Sequence, residues 1–208
     1  VRGGVEIYVK DLYVGLRGKV TARVLAARKK GDGTSSGRGR AHGVDVIRCA
    51  TPLTPARAPL SPMMAWHTLR ELLRGADVVH LQFPSPSAEL SWLLATMGGL
   101  LFRRVRLVIT YHSDIIKQKK LLFFYATIVR AILRRANVII ATSPKYVASS
   151  PYLSRYKDKC VVIPLGVEPK RFALPSSELP KVRAIRDRHR KPIILFVGRI
   201  VEYKGARN

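Results

Sequence analysis

Short apolar, β-branched runs alternate with longer amphipathic stretches along most of this chain, and that alternation leaves few folds open. Runs at 20–26, 44–49, 77–82, 105–110, 137–142, 160–163 and 193–197 predict strands. Stretches at 5–16, 63–73, 87–101 and 119–135 place their apolar residues at a period near 3.6 and predict helices. Strands that are apolar throughout, with helices between them, belong to a mainly parallel sheet covered on both faces, so the fold class is α/β. Ligands of such sheets bind just beyond the carboxyl ends of the strands. Several polar or glycine positions lie there: His112 and Asp114 after 105–110, Ser143 after 137–142, Gly166 after 160–163, and Gly198 and Arg199 after 193–197.

Between these elements, 28–42 is glycine-rich and reads as a flexible loop, and 50–62 is proline-rich and reads as a second irregular segment, a lid near the site. Residues 170–190 join Pro175-Ser176-Ser177 to a basic helical stretch that Ser177 could cap, which reads as an inter-domain linker. The expected organisation is therefore one domain over 1–169, a linker over 170–190, and the first strand and loop of another domain over 191–208.

The 208 residues carry a formal net charge of +25, with 47% hydrophobic residues. That composition is globular, and its charge points to an anionic partner, either a membrane surface or a nucleic acid, or to a generally basic proteome. Between Leu90 and Lys157 the only acid is Asp114. On the helix over 119–135, Leu121, Tyr125, Ile128 and Ile132 share one face, expected to pack on the sheet. Lys120, Phe123, Phe124, Thr127, Arg130 and Arg134 fall on the other side, a pattern suited to an anionic bilayer surface or, alternatively, to phenylalanines covered by a neighbouring helix with the cations solvating the edge. The two cysteines, Cys49 and Cys160, sit in apolar runs and read as buried reduced thiols. The five histidines are scattered, so no metal site is expected.

Gly3-Gly4 opens directly onto a helix; such a turn ordinarily follows a strand that aims it at a ligand, and taken alone it reads as a plain turn. The run at 193–197 breaks into Gly198-Arg199, followed by Lys204-Gly205, so glycine gives close approach and two cations neutralise charge.

Gly3-Gly4-Val5-Glu6, Thr110-Tyr111-His112-Ser113-Asp114, Ala141-Thr142-Ser143-Pro144, Ile163-Pro164-Leu165-Gly166-Val167-Glu168 and Phe196-Val197-Gly198-Arg199 to Tyr203-Lys204-Gly205 occur in that order. In this the chain resembles the retaining glycosyltransferases of family 4, whose fold is two Rossmann-like domains facing a cleft. The resemblance implies the acceptor-side domain plus the opening of a donor-binding domain. A strand ahead of Gly3-Gly4 and a paired-glutamate motif of the donor domain have no counterpart, so a fragment shortened at both ends, without activity of its own, is expected. For the parent enzyme it implies hexose transfer with retention from a nucleotide sugar to a lipid-linked or polysaccharide acceptor. No metal or other cofactor is implied; the expected location is cytoplasmic, with the basic, aromatic-studded helix suggesting a peripheral place at the inner face of the cell membrane. By the same resemblance His112 contacts the transferred sugar, while Arg199 and Lys204 hold the donor diphosphate and meet the charge of the leaving group. Gly3 and Gly4 approach the acceptor or donor, with Asp114, Ser143, Gly166 and Gly198 around them. A basic α/β nucleic-acid-binding protein is the rival reading, carried by charge alone.

Overall fold

The computed structural model describes residues 3–28, 37–52, 60–97, 104–114, 119–189 and 192–195, with backbone only at 119–124 and 171. The chain divides into two compact units, Val1–Leu165 and Gly166–Asn208.

The first unit is α/β, as its alternating pattern requires. Its strands are β1 (Arg23–Ala27), β2 (Gly37–Ala41), β3 (Val44–Cys49), β4 (Val78–Phe83), β5 (Arg106–Tyr111), β6 (Val138–Ala141) and β7 (Cys160–Val162). Its helices are α1 (Gly4–Gly15), α2 (Pro62–Leu73), α3 (Pro86–Ala95), α4 (Lys119–Arg135) and α5 (Pro144–Ser149). Strands β4-β5-β6-β7 form one sheet with every pairing parallel, and β1-β3-β2 form another, parallel between β1 and β3 and antiparallel between β3 and β2.

Register explains where the main core sits. Leu81 pairs with Ile109 and Phe83 with Tyr111, and these in turn face Ile139 and Ala141 of β6. All six are buried on one face, packed with Trp92 of α3 and Val129, Ile132 and Leu133 of α4. Side chains alternate across a strand, so the even-numbered residues of β4 and β5 point to the opposite face. On α4 the expected packing face holds, since Tyr125 and Ile128 are half-buried and Ile132 fully buried, while Thr127, Arg130 and Arg134 are exposed. The side chains of Lys120, Leu121, Phe123 and Phe124 lie outside the described residues. The smaller core joins Ile47 and Cys49 of β3 to Met64 of α2. Both cysteines are free, Cys49 buried and Cys160 half-buried.

Several boundaries differ from the sequence reading. Residues 37–41, read as part of a flexible loop, form β2. Here His42 (φ 52°) and Gly43 (φ 81°) make the tight turn that returns the chain beside β3. Two positive φ values in a two-residue loop match the right-handed twist of the strands, and the backbone ladder then overrides the weak strand propensity of Gly37-Arg38-Gly39-Arg40-Ala41. The strand expected from 20 begins at Arg23, because Val20 is exposed and makes only an isolated bridge to Arg17. The helix expected over 87–101 ends at Ala95, where the Thr96 hydroxyl bonds the Trp92 carbonyl at 2.7 Å; residues 98–103 lie outside the described set. In the segment read as a lid, Ser61 accepts from the Met64 amide at 3.3 Å and caps α2, and 53–59 lie outside the described residues.

The second unit holds 3-10 turns at Pro169–Phe172 and Ser176–Glu178 and the helix α6 (Leu179–His189). Ser177 lies inside the turn that precedes α6 rather than at its cap. Phe172, at the end of the first of these turns, is 75% exposed. Residues 193–195 of the expected strand have no regular structure, and 196–208 lie outside the described residues. No helix among the described residues is long and apolar enough to cross a membrane.

Candidate functional site

The site is built at the carboxyl ends of β4 and β5, on the face away from the main core. Gly3 opens α1, and its backbone amide donates to Glu6 Oε2 at 2.6 Å. A glutamate at this third helical position satisfies an otherwise orphaned amide and suits the positive end of the helix dipole. The backbone does not demand glycine here, since Gly3 has a φ of −80°. A Cβ on Gly3 would meet only Glu6 Oε2, at 3.9 Å, and one on Gly4 would meet nothing within 4 Å.

None of the residues of α1 is buried. Two tyrosines tie it to the sheet. The Tyr8 hydroxyl lies 3.4 Å from Thr110 Oγ1, and its ring meets His112 edge-on with centroids 5.2 Å apart. The Tyr13 hydroxyl lies 3.1 Å from His80 Nδ1. His80 pairs with Val108 and Gln82 with Thr110, so Tyr8 sits nearer the carboxyl ends of the strands than Tyr13 does. The helix thus runs back along the sheet, with its N-terminus toward the ligand-binding end. Gly4 comes four residues earlier than Tyr8, about 6 Å further along the axis at 1.5 Å per residue.

Beneath the helix lies a connected polar layer. His112 Nε2 is 2.8 Å from Gln82 Oε1, Gln82 Nε2 is 3.2 Å from His80 Nε2, and His80 Nε2 is 2.7 Å from Thr110 Oγ1. The His112 amide donates to the Phe83 carbonyl at 3.0 Å, which fixes the backbone that carries the ring. Burial, with His112 close by, pushes His80 down to about 4, and burial also lowers His112. Burial, with Tyr8 adding to it, raises the Tyr13 hydroxyl to about 12. All are neutral near pH 7, so the layer offers uncharged hydrogen-bonding groups of the kind that recognise hydroxyls.

The structure brings Gly3, Gly4 and His112 to one end of this sheet. Asp114 Oδ1 accepts from the Tyr111 and Ser150 hydroxyls at 2.8 Å each. Ser143 caps α5, its Oγ accepting from the Tyr146 amide at 3.2 Å. Gly166 begins the second compact unit and has open space where a Cβ would stand. Gly198, Arg199 and Lys204 lie outside the described residues. Tyr8, Tyr13, His80, Gln82 and Thr110 were not legible as site residues in the sequence reading. Their signal was present, because His80 and Gln82 are alternate polar residues in an otherwise apolar run. Among the described residues no cluster of His, Cys, Asp and Glu could hold a metal ion.

The O-antigen chain mannosyltransferase C of Escherichia coli is 35% identical over 150 residues, which cover 72% of this chain and 38% of that protein. The D-rhamnosyltransferase WbpZ of Pseudomonas aeruginosa is 35% identical over 136 residues, covering 65% of this chain and 34% of that protein. The chain therefore spans little more than a third of the length of these relatives. A sucrose-phosphate synthase structure from Thermosynechococcus elongatus aligns with 86% of this chain and 94% of its own at 20% identity and a TM-score of 0.46. The profile of Glycosyltransferase Family 4 matches residues 2–171, and the chain belongs to that family of glycosyltransferases.

Proposed function

We propose that this chain supplies the acceptor-side domain of an enzyme that transfers a hexose, with retention, from a nucleotide sugar to a lipid-linked or polysaccharide acceptor. The observation that carries the reading is the neutral His112 at the carboxyl end of β5, on the face where α1 brings its two N-terminal glycines. Gly3 and Gly4 are not required by the fold at that point, and a ligand that approaches the backbone closely gives them a reason. The family match and the two relatives, named for mannosyl and D-rhamnosyl transfer, support the sugar class. In this reading His112 touches the transferred sugar. Arg199 and Lys204 hold the donor diphosphate, where departure of the nucleoside diphosphate builds negative charge that two fixed cations offset. Asp114 and Ser143 hold the loops around the site rather than the ligand. The exposed Arg130 and Arg134 of α4 supply cations for contact with an anionic membrane surface, the location proposed for the enzyme.

The test is turnover of a nucleotide sugar by the whole enzyme with His112→Ala. We expect kcat to fall on the order of 10²-fold, as for loss of a group that acts in the transition state, with little change in Tm. Full activity per folded molecule would remove His112 from the site.

A further inference from the structure

The polar layer under α1 has a property that the identity of the sugar does not affect. His112 Nε2 faces Gln82 Oε1 at 2.8 Å. An amide oxygen only accepts, so His112 must carry its proton on Nε2. The other end of the same amide, Gln82 Nε2, faces His80 Nε2 at 3.2 Å. An amide nitrogen only donates, so His80 Nε2 must be the bare nitrogen and its proton must be on Nδ1. That leaves the His80 Nδ1 hydrogen aimed at the Tyr13 oxygen, 3.1 Å away. Thr110 completes the sense of the chain, donating its hydroxyl to His80 Nε2 at 2.7 Å while its oxygen accepts from Tyr8 at 3.4 Å. One side-chain amide thus couples two imidazoles, and in this orientation it sets them in opposite tautomers.

We propose that Gln82 is a positioning residue that holds His112 in the Nε2-protonated tautomer, with His80 as the group that fixes the amide's orientation. Among the described residues His112 Nδ1 has no hydrogen-bond partner. Its lone pair is then left to accept a hydrogen bond from a hydroxyl of the sugar or of the acceptor. A ring free to adopt the other tautomer would present a hydrogen there and repel the same hydroxyl hydrogen. The consequence for turnover rests on the proposed transfer reaction, but the tautomer assignment does not.

Nitrogen-15 spectra of the histidine rings in the whole enzyme test the assignment directly, with His112→Asn and His80→Asn identifying the resonances. The expected result is a protonated Nε2 on His112 and a protonated Nδ1 on His80. The reverse pair in the folded protein overturns the proposal and leaves the proposed function standing. Gln82→Leu removes both contacts. It should give His112 mixed tautomers and lower kcat about 10-fold, as loss of a group that orients a functional histidine does, with KM little changed. Gln82→Glu still accepts from His112 Nε2, but its carboxylate favours a second proton on Nδ1, so it should raise the His112 pKa and leave kcat lowered; full activity with a cationic His112 would overturn the role given to the Nδ1 lone pair. An unchanged kcat in Gln82→Leu, in an enzyme that loses activity on His112→Ala, overturns the positioning role. Loss of the proposed function itself would appear instead as full activity in His112→Ala.

Discussion

Leu107, Ile109 and Ile139 of the four-stranded sheet are closed off from solvent, with helices α3 and α4 packed over them. In the three-stranded sheet Ile47 and Cys49 are as well hidden, beneath Met64 of α2, but β2 at its edge presents arginines and glycines to water. Both sheets belong to the same compact unit, and the difference lies in what their strands are made of. Strands that are apolar throughout can be covered on both faces, whereas a Gly-Arg edge strand contributes a backbone ladder and little else. The candidate site sits on the better-packed sheet. There the odd-numbered residues of β4 and β5 supply the packing, and the even-numbered ones are left to carry His80, Gln82 and Thr110.

The contrast breaks or sharpens under three measurements. The largest effect is expected in the main core. Ile109→Ala should cost about 3 kcal/mol, a buried large-to-small change, against about 1 kcal/mol for Val46→Ala at a half-buried site of β3. Urea midpoints at unchanged m-value measure both, and equal losses would erase the distinction between the sheets.

Next comes acid sensitivity of the polar face. The folded pKa of His80 lies near 4, below its ordinary value of 6.5, because burial disfavours the cation. The neutral form is therefore favoured by folding. The stability it contributes is full above the ordinary value and is lost as pH falls from about 6.5 toward 4, by about 2 kcal/mol after discounting for partial exposure. His80→Asn should flatten that part of the profile of Tm against pH. A wild-type profile that is flat across the window would show that the ring is not held neutral.

The smallest effect belongs to the edge. Arg40 and Asp45 form an exposed ion pair across β2 and β3 at 3.5 Å. Asp45→Asn should change stability by less than about 0.5 kcal/mol, and less again in high salt. A loss of several times that size would mean β2 anchors more than its own edge.

The sequence was most informative where one local signal decided the outcome. β3 and α4 have the boundaries that periodicity predicts, and His112 and Asp114 follow a strand as expected. β2 was hidden because its residues have little strand propensity, and only the pairing with β3 makes them a strand. The partner that Asp114 finds in Ser150 was hidden for a related reason, since the two lie far apart in the chain and only the fold brings them together. The polar layer needed more still: the β4–β5 register and the seat of α1, both set by contacts distant in the chain.

That seat has a consequence for how the site breathes. A helix that buries none of its residues and is tied down chiefly by tyrosine contacts can lift without unfolding the sheet, at a fraction of the global free energy. In hydrogen exchange the amides of α1 should therefore lose protection through local opening, in weak denaturant, while those of β5 wait for global unfolding. Each such opening bares His80, Gln82 and His112, half-buried while the helix is seated, to water together.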